Sequence, residues 1–155
     1  MNSTKRILVV EDDSLTSGAV KMVLEWEGYC VDCAANGREA LNHLRQSEEK
    51  PNLILLDVMM PVLDGHQFRE EQKRDPDLDR IPVVVVSAAD MASSLDASGH
   101  IHKPFQPEEL LEVIHRQTET FGLPKKKTPP GAEQTLQPTR NELVRPLNPA
   151  RARRP

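Results

Sequence analysis

The chain has 155 residues and a formal net charge of −4, a length that fits one ordinary domain with a short appendage. No apolar run approaches the roughly 18 residues of a membrane span, and the polar start, followed by only four apolar residues, does not fit a signal peptide. We therefore expect a cytosolic protein. The charge is uneven: residues 1–121 carry 12 basic and 22 acidic side chains, hence −10, and residues 122–155 carry 8 and 2, hence +6.

Strand patterns alternate with helical patterns along the chain, which predicts βαβ units and a parallel sheet. The predicted strands are Ile7–Val10, Tyr29–Ala34, Leu53–Leu56, Val83–Val86 and His100–His102. Helices are predicted at about Ser14–Glu27, after Asn36 as a cap, at His66–Arg74 and from Pro107 onward. The segment Ala88–Gly99 has few apolar anchors, which predicts a short helix or none.

The first predicted helix begins at a cap, Asp13 or Ser14, and ends at Gly28. Its apolar residues lie at helical spacing, and we expect them to face the sheet. They are Leu15, Ala19, Met22, Val23 and Trp26. The helix His66–Arg74 is very polar and offers little besides Phe68 for burial.

Cys30 and Cys33 form a Cys-x-x-Cys pattern, for which redox or metal chemistry is one interpretation. Both lie in a predicted strand, where side chains alternate between faces. Two thiols on opposite faces cannot share a metal, so we expect small buried or half-buried thiols.

Residues 122–155 are basic, hold seven prolines and have few apolar side chains. This composition predicts a disordered tail behind a folded body of residues 4–121. The basic runs Lys125–Lys127 and Arg151–Arg154 suit nucleic acid or anionic lipid. A solubilising tail is the alternative, and the absence of interleaved aromatics disfavours nucleic acid.

Ionisable or hydroxyl side chains follow four of the five predicted strands at their carboxyl ends. Glu11, Asp12 and Asp13 follow the first strand, and Asp57 follows the third. Ser87 follows the fourth strand and Lys103 the fifth. In an open parallel sheet, ligands bind at this edge, so we expect these groups to lie close together.

These residue types suit the formation of an aspartyl-phosphate. A carboxylate such as Asp57 can act as a nucleophile towards a phosphoryl group. Mg²⁺ can cancel the repulsion between the two anions, held by Asp57 together with Glu11 and Asp12. Lys103 offers a positive charge for the phosphoryl oxygens, and Ser87 offers a hydroxyl donor.

Each of these residues also has a plainer interpretation. The acidic cluster could only cap the first helix, which is the expected role of Asp13. Asp57 could be a turn residue, Lys103 a solvated surface lysine and Ser87 a strand-end hydroxyl.

The layout of residues 4–121 resembles the receiver domain of two-component response regulators. The matching motifs are Val9-Val10-Glu11-Asp12, Leu56-Asp57-Val58-Met59-Met60-Pro61 with Asp64-Gly65, Val86-Ser87-Ala88 and Lys103-Pro104-Phe105. The resemblance implies an α/β fold with a doubly wound, five-stranded parallel sheet in the order 2-1-3-4-5 and helices on both faces.

The resemblance also implies roles for individual residues. Asp57 would accept a phosphoryl group from a histidine kinase or phosphotransfer protein, with Lys103 and Ser87 assisting. The backbone carbonyl of Met59 would join the Mg²⁺ ligands, and the peptide bond before Pro104 would be cis. Ser87 and His100 would form the conformational switch.

The chain departs from the family pattern at three points. Ser87 stands where threonine is usual, although the hydroxyl is kept. His100 replaces an aromatic residue that turns inward in the family, so it either takes that role or lies on the surface. The stretch between Ser87 and Lys103 looks several residues too short, which leaves the fourth helix of the family short or degenerate.

The leading hypothesis is a stand-alone phospho-acceptor that catalyses only its own phosphorylation and dephosphorylation and signals to an unidentified protein target. A weakly held second copy is a further expected partner. A phosphorylation-independent interaction module is the alternative, which the retained Asp12, Asp57 and Lys103 disfavour. A phosphohydrolase would want an acid two residues after the nucleophile, where this chain has Met59. A P-loop motif is absent from the sequence.

Overall fold

The computed structural model describes residues 3–88 and 95–119. The predictions for the tail, residues 122–155, and for residues 89–94 of the possible fourth helix lie outside this range. Within it, residues 95–98 contain no helix. No helix in the described residues combines the length and the apolarity that a membrane crossing requires.

The described elements follow one another as strands and helices. In chain order they are β1 (Arg6–Val10), α1 (Ser14–Trp26), β2 (Cys30–Ala34), α2 (Gly37–Gln46), β3 (Leu53–Asp57), α3 (Gly65–Arg74), α4 (Pro76–Asp79), β4 (Val83–Ala88), β5 (Gly99–Lys103) and α5 (Pro107–Glu119). All strands pair in parallel in the order β2-β1-β3-β4-β5. The predicted fold class and strand order are therefore confirmed.

The sheet separates two apolar clusters, because successive strand residues point to opposite faces. Leu8 and Val10 of β1 pack on the side of α2 and α3, whereas Ile7 and Val9 pack on the side of α1 and α5. The central strand β3 is buried throughout. A strand covered on both faces reads as a continuous apolar run, which is why these strands were easy to recognise.

Helix α1 begins at the predicted cap, since the Asp13 side chain accepts a hydrogen bond from the backbone N–H of Leu15. It stops before Gly28, whose φ of 93° is a conformation that glycine adopts at low cost. The prediction for its buried face was wrong. Val20 and Leu24 face the sheet.

The residues predicted to face the sheet from α1 do not do so. Leu15, Ala19, Met22 and Trp26 are exposed, and Val23 is half-buried. Helical spacing identifies a stripe of apolar residues but does not say which of two opposite stripes meets the sheet. This helix has both.

The short helix α4 was not predicted. Its signals are local: Asp75 accepts a hydrogen bond from the N–H of Asp77, and Pro76 occupies the first turn, where its missing N–H has no cost. Both cysteines of β2 are free thiols, and Cys30 is half-buried as predicted. The prediction was wrong for Cys33, which is exposed on this edge strand of the sheet.

Candidate functional site

The site lies where the parallel strands end. Glu11 follows β1, Asp57 ends β3, and Ser87 and Lys103 lie in the last two residues of β4 and β5. The register aligns these ends, because Val86 is the partner of Asp57 and Ala88 is the partner of Lys103. The predicted convergence at one edge of the sheet is therefore present in the structure.

Three carboxylates form the acidic part of the site. Glu11, Asp12 and Asp57 each offer one oxygen, and these oxygens lie within 4.8 Å of one another. Glu11 and Asp57 are buried, whereas Asp12 is exposed. A small set of carboxylates with one side open to water is the kind of ligand group that suits Mg²⁺, which keeps several waters of its own.

Lys103 supplies the positive charge of the site. Its Nζ lies 2.9 Å from Glu11 Oε2 and 3.4 Å from Asp57 Oδ2. Burial alone would lower the pKa of Lys103, but the hydrogen bond to Glu11 and the charge of Asp57 outweigh it, so the pKa of Lys103 is raised. Lys103 is therefore held in its charged form between two acids.

Glu11 is the acid of the cluster whose ionised form is disfavoured by its surroundings. Burial is the largest influence on the pKa of Glu11 and raises it, the hydrogen bonds from Lys103 and from the backbone N–H of Asp13 lower it, and the net shift is upward. The charge of Asp57 raises the pKa of Glu11 further. The site thus holds more negative charge than Lys103 neutralises, and a bound cation would relieve this imbalance.

The loop after β3 is fixed by its glycine and by Asp57 itself. The backbone N–H of Met59 donates to Asp57 Oδ1 over 3.3 Å. Gly65 donates to the carbonyl of Val58, and a Cβ at Gly65 would lie only 2.8 Å from Val58 Cα. This close approach explains the glycine. The role of the Met59 carbonyl as a metal ligand stays a prediction.

Val62, in the same loop, was missed by the sequence analysis. It has a φ of 69°, in the left-handed region that disfavours β-branched residues. Position 62 holds neither glycine nor asparagine, the residues that adopt this region most readily, so the sequence gives no signal for this conformation.

Ser87 and His100 are the predicted switch residues, and they have different environments. Ser87 is 2% exposed, and its Oγ is a buried side-chain oxygen without a hydrogen-bond partner in the described part of the chain. Such an atom calls for an explanation, and a ligand oxygen is one. His100 lies on the surface, with its Nε2 3.3 Å from the carbonyl oxygen of Leu95.

The peptide bond between Lys103 and Pro104 is cis. Asp13 acts as the cap of α1, and its hydrogen bonds with Thr16 and Leu15 lower its pKa. It is not part of the group of three carboxylates.

Comparison with known proteins points to one family. The family model described as the response regulator receiver domain matches residues 7–115. The response regulator MprA of Mycolicibacterium vanbaalenii is 33% identical over 150 residues, which cover 90% of this chain and 63% of that protein. The chain spans about half the length of several other curated relatives.

Solved structures agree with this match. The signal receiver domain of a signal transduction histidine kinase from Syntrophus aciditrophicus has a TM-score of 0.71 and 30% identity, covering 81% of this chain and 98% of that one. The phosphorylated cyanobacterial phytochrome response regulator RcpA has a TM-score of 0.66 and 29% identity, covering 79% of this chain and 99% of that one.

Proposed function

The chain belongs to the response regulator receiver family of two-component systems, and on that premise we propose that it accepts a phosphoryl group on Asp57. The donor would be a histidine kinase or a phosphotransfer protein. This is a signalling role and not that of an enzyme with turnover of a separate substrate.

The observation that carries the proposal is the position of Lys103. Its ammonium group contacts both Glu11 and Asp57, although a surface lysine would gain more by remaining in water. At this position the ammonium group can contact the phosphoryl oxygens once Asp57 is phosphorylated, because the aspartyl-phosphate would replace the free carboxylate as its partner. A structural ion pair would need only one of the two acids.

The transfer itself requires little chemistry from the chain. An oxygen of Asp57 forms the bond to phosphorus while the bond between phosphorus and the donor's imidazole nitrogen breaks, and the electron pair remains on that nitrogen. The N–H of Met59 holds one oxygen of Asp57 in place. Ser87 Oγ, which lacks a partner, is available to donate to a phosphoryl oxygen.

The three carboxylates fit a magnesium ion by the hardness and the spacing of their oxygens. We propose Glu11, Asp12 and Asp57 as its side-chain ligands and the carbonyl of Met59 as a further one. When bound, Mg²⁺ would supply the positive charge that lets an anionic donor approach an anionic acceptor. The structure of RcpA, a related regulator, is of a phosphorylated protein, which supports the same modification here.

The test is incubation with Mg²⁺ and acetyl phosphate, followed by measurement of the intact mass. We expect the wild-type chain to gain one phosphoryl group and Asp57→Asn to gain none. Asp77→Asn, a change of the same kind at an exposed aspartate of α4, should behave as the wild type. Equal phosphorylation of wild type and Asp57→Asn would contradict the assignment of the acceptor.

The surface position of His100 favours one alternative, in which the chain binds a partner in the same way with or without phosphate. In that case the ring does not report the state of Asp57. Amide hydrogen exchange with and without beryllofluoride separates the two functions, since only a switch would change the protection of β4 and β5.

A further inference from the structure

Helix α1 carries large apolar side chains on the side that faces away from the sheet. Leu15 is 83% exposed, Met22 is 73% exposed and Trp26 is 88% exposed. The exposed Ala19 lies between them. We refer to Leu15, Ala19, Met22 and Trp26 as the outer stripe. It lies opposite Val20 and Leu24, which already pack on the sheet. A helix that is apolar on two opposite sides usually has neighbours on both.

The spacing of the outer stripe is symmetric. Its residues are separated by four, three and four positions, which is the spacing of a helix that packs along a second helix. In an antiparallel pair of identical helices, Leu15 meets Trp26 of the second copy and Ala19 meets Met22 of the second copy. Each layer pairs a smaller side chain with a larger one, so the stripe is complementary to itself.

Gly18 provides an independent observation. It lies within α1, where glycine is less favourable than alanine. A Cβ at Gly18 would meet no atom of this chain within 4 Å, so the fold itself does not require a glycine there. Gly18 instead lines a shallow groove on the helix surface, together with Lys21, Met22, Glu25 and Trp26. The missing side chain leaves room for another helix to approach.

The charges along the stripe permit the same pairing. Glu25 forms an ion pair with Lys21 of its own helix, with 3.5 Å between Nζ and Oε1. In the antiparallel register that pairs Leu15 with Trp26, Glu25 lies level with Thr16 of the second copy, so no two acids of the helices face each other across the pair. A self-pairing surface with like charges opposed would be disfavoured.

We propose that the outer stripe of α1 is the docking surface for a second copy of this chain, in an antiparallel helix pair. The contact does not depend on the proposed phosphorylation of Asp57. A helix of 13 residues is about 20 Å long. Two such helices bury less than the roughly 1,200 Å² at which stable interfaces begin, so the dimer forms only at high protein concentration.

Sedimentation velocity with the full chain tests the proposal, over about 10 μM to about 1 mM, the range of weak association. Trp26 is the sole tryptophan, so its emission should shift to the blue as the dimer forms. Met22→Glu should raise the dissociation constant at least about tenfold. Val62→Glu places the same charge at another exposed apolar residue and should dimerise as the wild type does. Far-UV circular dichroism checks that both variants fold.

The register has its own test. Ala19→Cys and Met22→Cys are each made in a chain with Cys30→Ser and Cys33→Ser, and the two variants are mixed with a short thiol-specific cross-linker. The antiparallel pair predicts that cross-links between unlike variants outnumber those between like variants.

Three outcomes would overturn the proposal. A chain that stays monomeric over the whole concentration range has no such dimer. If the outer stripe of such a chain binds a different protein, its partner is not a second copy. A dimer that Met22→Glu leaves unchanged uses another surface. Cross-links that form mainly between like variants exclude the antiparallel register.

Discussion

Replacing Asp57 by asparagine should stabilise the metal-free protein, although it removes the proposed acceptor. Asp57 is buried beside two further carboxylates and one ammonium group. Asparagine keeps the shape of the side chain and the oxygen that accepts from the Met59 N–H. The change removes a charge, and it also replaces the Oδ2 that faces Lys103 Nζ with an amide NH₂, so the attraction to Lys103 is lost together with the repulsion from the two acids.

The magnitude follows from the distances. At an effective dielectric constant of about 20, charges 4.8 Å apart interact by about 3.5 kcal/mol, so repulsion from Glu11 and Asp12 is at least about 7 kcal/mol. Attraction to Lys103 at 3.4 Å returns about 5 kcal/mol. Water around the exposed Asp12 weakens these terms, which leaves about 1–2 kcal/mol of net repulsion on Asp57.

Thermal unfolding followed by far-UV circular dichroism at pH 8 in EDTA measures this effect. We expect the Tm of Asp57→Asn to exceed that of the wild type by about 3–8 °C, whereas Asp77→Asn should change it little. Added Mg²⁺ should raise the Tm of the wild type more than that of Asp57→Asn, because binding stabilises only a protein that keeps the site. A lower Tm for Asp57→Asn in EDTA, or an equal response to Mg²⁺, would refute this reasoning.

The other predictions concern the same edge of the sheet. Asp12→Ala should weaken Mg²⁺ binding at least about tenfold by calorimetry; unchanged affinity would mean that Asp12 is not a ligand of the ion. Burial raises the pKa of Glu11 above its ordinary 4.5, and only the ionised form of Glu11 binds the ion well. Mg²⁺ should therefore bind with full affinity above the raised pKa, and the affinity should fall as the pH drops through it. Calorimetry at several pH values measures this, and a loss of affinity that occurs only around the ordinary pKa of a glutamate would contradict it. Lys103→Ala should still be phosphorylated but lose the change in amide exchange that beryllofluoride induces; a full wild-type response would count against the role of Lys103. Val62→Gly should stabilise the fold by about 0.5–1 kcal/mol in urea unfolding, since it relieves a positive φ at an exposed side chain; a loss of stability would show that Val62 packs more tightly than its exposure indicates.

The strands and their chemistry were predictable because both depend on local pattern. A run such as Val83–Val86 is all β-branched and bounded by turn residues, which leaves little choice but a buried strand. Once the strands are parallel, their carboxyl ends must share one edge, and the residues that follow them converge there. Asp57 and Lys103 are 46 positions apart in the sequence, yet they are neighbours for this topological reason.

The face of α1 was not predictable from its own sequence. Val20 and Leu24 form one apolar side, and Leu15, Met22 and Trp26 form the other, at the same helical period. Only two residues, Val20 and Leu24, form the buried side, whereas the exposed side carries more apolar side chains. The packing of the helices on the sheet decides between two such stripes, since helical periodicity does not say which side of the helix faces the sheet.

The polarity of α3 has a physical reason that the sequence alone conceals. Gln72 is fully buried, and its Nε2 donates to the carbonyls of Leu78 and Ile81, which lie at and after the short helix α4. Arg69 donates to Gln72 Oε1 and to the carbonyl of Asp96, ahead of β5. Backbone carbonyls buried without partners would each cost about 1–3 kcal/mol. Polar residues on the inner side of α3 therefore stabilise the irregular segments before β4 and β5, where an all-apolar helix would leave those carbonyls unsatisfied.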